Sequence, residues 1–146
     1  MKNGERHGIL YPSTMDGGGG VEYITRIDIN IYSCATKDIT TDEVIITNER
    51  VMHIKEYHPN DYERYCSYMR MALEQPDYIL EDGPNTALIL KEVLEEGLRF
   101  RLILRLKSSK DDSRYKNSIL TFWKTNGQKW RQNVKNRKIL YKRPES

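Results

Sequence analysis

The apolar residues of this chain change their spacing along its length, and each spacing predicts a different element. Ile27, Ile29 and Ile31 alternate with polar residues, which predicts a half-buried strand over 21–32. The short apolar run 44–46 predicts a second strand. The first third of the chain is therefore expected to contribute two strands to a sheet.

Two helices are expected next, because the apolar spacing lengthens to three and four residues. Thr47 or Asn48 is a favourable N-cap for a helix that ends before Pro59. A second helix, with its apolar residues spaced over 62–73, ends before Pro76. The two prolines limit these helices because proline disfavours helical backbone in the residue that precedes it.

Strand-like spacing returns after residue 77. Within 98–107 apolar residues alternate with four cations, so one face of this strand carries a basic row: Arg99, Arg101, Arg105 and Lys107. The other predicted strands are 78–80, 86–93, 118–123 and 139–141, and 128–136 predicts a short basic helix. The order of elements predicts an α+β fold, with two N-terminal helices packed on an antiparallel sheet of about four to five strands and a short late helix.

Length and composition indicate one domain. Residues 1–20 end in four consecutive glycines and are expected to form a flexible tail, which leaves 21–146 as a single domain. Cys34 and Cys66 have neither metal nor redox spacing, which favours a reduced compartment. The N-terminus lacks a secretory pattern and no apolar run approaches roughly 18 residues, so a cytoplasmic protein without a membrane segment is expected.

Charge is divided unevenly along the chain. Residues 97–146 hold 15 of its 24 Lys+Arg and three of its 21 Asp+Glu, a formal charge of +12, whereas the first 96 residues carry −9. Basic segments attract phosphates, and Lys or Arg contacts with phosphates supply the sequence-independent part of nucleic-acid affinity. Aromatic and amide residues are interleaved with the cations over 123–133, which favours a nucleic-acid partner over a merely solvated surface.

Several short segments follow one another in a characteristic order between residues 44 and 144. They are Ile46 to Ile54, Glu56 to Pro59, Gln75 to Asp82, the strand with Lys91, the strand with Thr121, and the ending Ile139 to Tyr141. In this order they resemble the phage and mobile-element nuclease-like domains grouped with barnase, EndoU, the RNA-cleaving colicins and RelE. The resemblance implies a metal-independent ribonuclease fold of toxins and phage-borne proteins, with its site on the sheet face near the first helix. It also implies a phage-encoded protein or one that is delivered into a target cell.

Metal-free RNA cleavage needs a base for the 2′-hydroxyl proton, an acid for the departing 5′-oxygen, and cations or donors for the phosphate. The catalytic candidates are His53 and His58 for proton transfer, Lys91 as a cation and Thr121 as a hydroxyl donor. Each also fits a structural role. The two histidines suit a helix interior and a helix C-terminus, the lysine suits an edge strand, and the threonine suits any strand.

Four other residues are candidates for nucleic-acid binding. Arg105 is expected to contact a phosphate in bidentate fashion, and Lys124 is expected to clamp a second phosphate. Trp130 with Arg131 is expected to stack a base and clamp its phosphate, because single-stranded RNA binds to aromatic platforms beside basic tracks. Trp130 fits equally well as the anchor of its helix in the core.

The expected function is therefore a small endoribonuclease domain that leaves 2′,3′-cyclic phosphate ends and uses no metal or other cofactor. The expected partners are RNA, including tRNA or another structured RNA, and an immunity or antitoxin protein. The sequence shows no zinc spacing, no phosphate-cradling glycine motif and no acidic cluster for two-metal chemistry. Two alternatives stay open. One is a non-catalytic nucleic-acid-binding module of the same fold. The other is a protein-interaction module whose basic half docks on the acidic half of its own family or on an inhibitor.

Overall fold

A computed structural model describes residues 20–145 of the chain. Within that range seven strands form one sheet: β1 (Val21–Arg26), β2 (Glu43–Thr47), β3 (Tyr78–Glu81), β4 (Thr86–Val93), β5 (Leu98–Arg105), β6 (Asn117–Thr125) and β7 (Ile139–Lys142). The spatial order is β1-β2-β6-β5-β4-β3-β7. The sheet is mixed, because β2 and β6 run parallel while the other neighbouring pairs are antiparallel. The predicted tail, apart from Gly20, lies outside the described residues.

Five short α-helices accompany the sheet in the described part of the chain. They are α1 (Ile29–Tyr32), α2 (Asn48–Tyr57), α3 (Asp61–Tyr65), α4 (Tyr68–Glu74) and α5 (Gly127–Asn136). As predicted, Thr47 caps α2, since its hydroxyl accepts a hydrogen bond from the Arg50 amide at 3.1 Å. The predicted late helix is confirmed as α5.

The predicted architecture was wrong in its sheet and in the placement of its helices. The sheet has seven strands rather than four or five, and it is mixed rather than antiparallel. The two predicted helices are not N-terminal to the sheet, because β1 and β2 precede them. They lie in the predicted part of the chain, between β2 and β3, but as three short helices. The physical reason is the N-terminal hairpin: β1 pairs with β2, and β2 adds to the sheet beside β6. Spacing along one segment does not reveal which segment it will pair with.

The predicted strand over 21–32 was too long. Asp28 ends it, because its carboxylate accepts a hydrogen bond from the Asn30 amide at 2.9 Å and caps α1. Ile27 is buried, whereas Ile29 lies on the exposed side of α1. The alternation of isoleucines therefore reflects a strand end followed by a single helical turn.

The first face of the sheet carries the main core. Helices α2, α3 and α4 bury Ile54, Tyr65 and Met69 there, among others. Phe100 of β5 stacks on Phe122 of β6 with ring centroids 5.3 Å apart. This packing holds β5 and β6 flat against the helices, so their alternate residues face the other side.

Within residues 20–145, helix α5 covers part of the second face. Trp130 and Val134 of α5 pack on three leucines of β3 and β4, namely Leu80, Leu88 and Leu90. Ile103 of β5 joins this cluster. The residues of β5 and β6 that border α5, among them Arg101, Trp123 and Thr125, carry the candidate site.

We expect the cap of α2 to contribute measurably to stability. Thr47→Ala removes the acceptor for the Arg50 amide and should lower the free energy of unfolding by about 1 kcal/mol. Thr47→Ser keeps the hydroxyl and should lose less. Urea denaturation of both variants measures the difference, and equal losses would contradict the capping role.

Alkaline pH should destabilise the fold through buried tyrosines. Burial raises the pKa of Tyr62 to about 12, because the charged phenolate is poorly solvated there. A raised folded-state pKa means that the stabilisation is complete below the unfolded value of about 10 and is lost as pH rises through the folded value. Denaturant titrations between these pH values should show a smaller loss for Tyr62→Phe than for the wild type. Parallel losses would show that Tyr62 does not cause the transition.

Candidate active site

A cleft of about 460 Å³ opens between α5 and the β5–β6 portion of the second face. Its cationic lining residues are Arg101, Lys124, Lys129 and Arg137, and its rings belong to His58 and Trp123. Thr125 and the amides of Gln132, Asn133 and Asn136 complete the lining. None of these lining residues is acidic, so the cleft suits an anionic ligand.

The strand register brings the aromatic and cationic parts together. Arg101 of β5 lies opposite Trp123 of β6, with its guanidinium carbon 5.4 Å from the ring centroid. The His58 ring centroid lies 4.5 Å from that of Trp123. Trp123 therefore contacts both a guanidinium and an imidazole, and holds them on the same side of the sheet.

Helix α5 supplies the opposite wall. Trp130 and Val134 of α5 pack on the leucine cluster. The adjacent face of the helix borders the cleft, and its residues follow one another at intervals of three and four: Lys129, Gln132, Asn133 and Asn136. The Asn126 side chain caps the helix by accepting a hydrogen bond from the Lys129 amide at 2.8 Å. The cap and the apolar anchors together fix which residues line the wall.

Two arginines of the cleft differ in how their charge is balanced. Burial lowers the pKa of Arg101, and neighbouring Arg137 lowers it further. Arg137 pairs with Asp82 at 2.7 Å and donates to the Glu81 carbonyl at 3.2 Å. The Arg101 guanidinium stays protonated despite this lowering of its pKa. Because Arg101 has no ion pair among the described residues while Arg137 has one, Arg101 is the less compensated of the two charges.

The two candidate histidines of α2 have different surroundings. His58 is the C-cap residue, and its amide donates to the Ile54 carbonyl at 2.8 Å, which turns its ring into the cleft before Pro59. His53 is exposed on the helix, with its ring centroid 4.7 Å from that of Tyr57, and it does not line the cleft. The structure brings one histidine, His58, to the basic cleft.

Lys91 lies apart from this cleft. It is opposite Phe100 on the first face and is buried, with its ammonium 3.7 Å from an Asp77 carboxylate oxygen. It lines a separate cleft of about 480 Å³ together with Asp77 and Arg143. Burial lowers its pKa, while Asp77 acts in the opposite direction. Lys91 and His58 are therefore not brought together.

The other predicted strand residues lie near the basic cleft without all entering it. Thr121 is on the second face opposite Ile103, and its hydroxyl is buried without a hydrogen-bond partner among the described residues. Lys124 borders the cleft, but it is opposite Phe100, so its ammonium turns to the first face, 5.8 Å from the Tyr65 ring centroid. We therefore count Lys124 as a residue of the rim.

The remaining predicted binding residues have mixed placements. Arg105 pairs with Asp111 at 3.0 Å and also binds the Leu106 carbonyl, so it holds the loop after β5 and does not line the cleft. Trp130 anchors α5 on the leucine cluster. Arg131 is exposed on α5, beside the first turn of the helix.

Sequence reasoning missed several lining residues. Arg101 belongs to the basic row predicted for β5, but the sequence favoured Arg105 as the phosphate-binding arginine of that row. The ion pair of Arg105 with the loop residue Asp111 cannot be inferred from residue spacing. Trp123 could have been found by pairing β5 with β6, which places it opposite Arg101. The lining residues of α5 could have been found from the helical repeat. If Trp130 faces the core, residues spaced by three and four from Lys129 share the neighbouring face of the helix.

Comparison with known proteins identifies the family of this chain. Residues 24–142 match the family described as phage-Barnase-EndoU-ColicinE5/D-RelE like nuclease2. The chain belongs to this nuclease family. The match spans every element that lines the cleft, and it confirms the resemblance noted from the sequence. No curated protein and no solved structure gives a significant match.

Two further observations concern the whole described range of this nuclease domain. No helix within residues 20–145 is long and apolar enough to cross a membrane. In the same range no group of three or more His, Cys, Asp or Glu side chains is arranged to hold a metal ion. The family indicates a nucleic-acid substrate, and the basic cleft is its candidate binding site.

Loss of one lining cation should weaken nucleic-acid binding. Lys129→Ala should reduce the affinity for a single-stranded deoxyoligonucleotide by about 3- to 30-fold, because a charge-assisted phosphate contact is lost. It should also lower the dependence of log K on log salt by about 0.7. Fluorescence anisotropy at several salt concentrations measures both. Lys135→Ala, which removes a charge from the same helix outside the cleft, is the control, and an equal effect there would contradict a specific site.

Proposed function

We propose that this domain is a metal-independent endoribonuclease that cleaves RNA by attack of a 2′-hydroxyl on the adjacent phosphate. The observation that carries the proposal is the placement of His58 and Arg101 on the same tryptophan, within an acid-free cleft of a nuclease-family domain. Proton transfer and phosphate stabilisation are then available from neighbouring side chains. The two functions come from different elements, α2 and β5.

The scissile phosphate is assigned to Arg101 and Lys129, which line opposite walls of the cleft. Negative charge grows on the phosphate oxygens as the 2′-oxygen attacks, and cations fixed beforehand stabilise that charge most effectively. The partial burial of Arg101 strengthens its electrostatic interaction with the phosphate. Arg137, already paired with Asp82, contributes a weaker field at the end of the cleft.

His58 is assigned the removal of the 2′-hydroxyl proton. Imidazole is the side chain whose ordinary charge change lies between pH 5 and 8, which suits a general base at neutral pH. The 2′-oxygen then bonds to phosphorus, the bond from phosphorus to the 5′-oxygen breaks, and the products are a 2′,3′-cyclic phosphate and a 5′-hydroxyl. The 5′-oxygen takes its proton from water or from the Lys129 ammonium.

The remaining lining residues suit recognition of an unpaired strand. Single-stranded RNA is bound through base edges and aromatic rings, and the cleft offers Trp123 together with the amides of Gln132, Asn133 and Asn136. Carboxylates, the ligands that Mg²⁺ prefers, do not line the cleft. We therefore assign the stabilisation of negative charge on the phosphate, which metal ions provide in other nucleases, to the cationic side chains of the cleft.

The test compares two histidines of the same helix. Purified wild type should cleave labelled single-stranded RNA in EDTA and leave cyclic-phosphate ends. His58→Gln should reduce the rate by about 10²- to 10⁴-fold, the usual contribution of general acid–base catalysis. His53→Gln is the matched control, because His53 is exposed outside the cleft. Gel analysis and end-group chemistry measure the rates and products.

Equal activity of wild type and His58→Gln would overturn the assignment of His58. Activity lost in His53→Gln instead would return the catalytic role to that residue. Binding of RNA without cleavage by any of the three proteins would favour the non-catalytic module. One observation favours that alternative: among the lining residues of the cleft, His58 is the single imidazole, whereas metal-free cleavage needs both a base and an acid.

A further inference from the structure

Two arginine side chains converge at the start of α5, beyond the residues assigned to the scissile phosphate. A Cβ atom on Gly127 would lie 2.5 Å from one terminal nitrogen of Arg99 and 3.1 Å from one of Arg131. The two guanidinium groups therefore meet over the bare backbone of Gly127. One belongs to β5 and the other to α5, so their meeting depends on the docking of that helix.

Arg99 is held in place by groups that leave its terminal nitrogens available. Its Nε donates to a Glu92 carboxylate oxygen at 3.1 Å, and its guanidinium carbon lies 5.7 Å from the Trp130 ring centroid. Arg131 makes no ion pair with another described residue. Two positive charges therefore lie close together, and Glu92 is the one carboxylate among the described residues that pairs with either of them. An anion that bridges both guanidinium groups would relieve their repulsion.

The pair adjoins the basic cleft. Arg99 lies opposite Thr125, which lines the cleft and has a buried hydroxyl without a hydrogen-bond partner among residues 20–145. Arg99 and Arg101 are alternate residues of one strand and share a face, about 6.7 Å apart along it. An extended nucleic-acid strand that places one phosphate at Arg101 would carry its next phosphate towards Arg99 and Arg131.

We propose that Arg99 and Arg131 form a second phosphate subsite, which binds the backbone phosphate next to the scissile one. This inference rests on the proposed RNA cleavage in the basic cleft. Both donors are side-chain guanidinium groups, so the subsite does not depend on the amides of the first turn of α5. A Cβ at Gly127 would displace the Arg99 guanidinium from its present position, so a substitution there tests the pair.

The test uses substrates that differ by one phosphate. A mixed-sequence dinucleoside monophosphate contains only the scissile phosphate, and the same compounds with a 5′- or a 3′-terminal phosphate contain one more. One of the two additions should raise kcat/KM of the full chain by about 10- to 100-fold, as expected for a charge-assisted contact. Arg131→Ala and Gly127→Ala should reduce this gain to threefold or less. Lys135→Ala should keep the full gain.

Gly127→Ala separates a binding role from a structural one. Alanine has a higher helix propensity than glycine, so the melting temperature of this variant should be equal to or above that of the wild type while the gain is lost. A lower melting temperature together with lost activity on every substrate would overturn the subsite. Cleavage by the wild type without a gain from either terminal phosphate would also overturn it, while leaving the proposed function intact.

A binding experiment covers the case in which no substrate is cleaved. The 2′-deoxy forms of the same compounds, titrated by calorimetry at low salt, should show the same gain from one terminal phosphate and the same loss in Arg131→Ala. Inorganic phosphate is titrated in parallel. If it binds as tightly as the terminally phosphorylated compounds, the pair binds free anions and the assignment to an RNA backbone is wrong.

Discussion

The packing of Trp130 and Val134 on the leucines of β3 and β4 determines where the candidate active site can form. This apolar contact, which Ile103 of β5 joins, seats α5 on the second sheet face so that one side of the helix borders β5 and β6. The cleft is the space between these strands and the helix wall. The lining of the cleft and the meeting of Arg99 with Arg131 both follow from that docking, which therefore links core packing to the proposed chemistry.

Electrostatic balance explains how so basic a segment folds. Carboxylates outside the cleft pair with arginines of the basic half: Glu92 pairs with Arg99, Asp82 with Arg137, and Asp111 with Arg105. Each pair fixes the direction of an arginine and reduces repulsion among the cations. Arg101 and Lys129 have no such ion pair among the described residues, so their charges are available to bind an anionic ligand. The carboxylates thus position the cations without occupying the binding space.

The sequence predicted local structure better than it predicted pairing. Thr47 as a cap, the strand over 98–107 and the late helix all have local causes, which a residue pattern records. The parallel pairing of β2 with β6 and the short turn at α1 do not, because they depend on partners distant in the chain and on one Asp28 cap. The same holds for the candidate site. The sequence predicted the basic row of β5, but it did not predict which of Arg101 and Arg105 lines the cleft, because that depends on the ion pair of Arg105 with a loop carboxylate.

The central claim is that RNA binds in the basic cleft with a phosphate between Arg101 and Lys129 and a ribose beside His58. The most direct measurement is a crystal structure of the chain with a short RNA that carries a single 2′-deoxy residue at the cleavage position. We expect a phosphate oxygen within hydrogen-bonding distance of the Arg101 guanidinium, and the deoxyribose C2′ facing the His58 ring. An oligonucleotide bound elsewhere, such as in the Lys91 cleft, with the basic cleft left empty, would contradict the account.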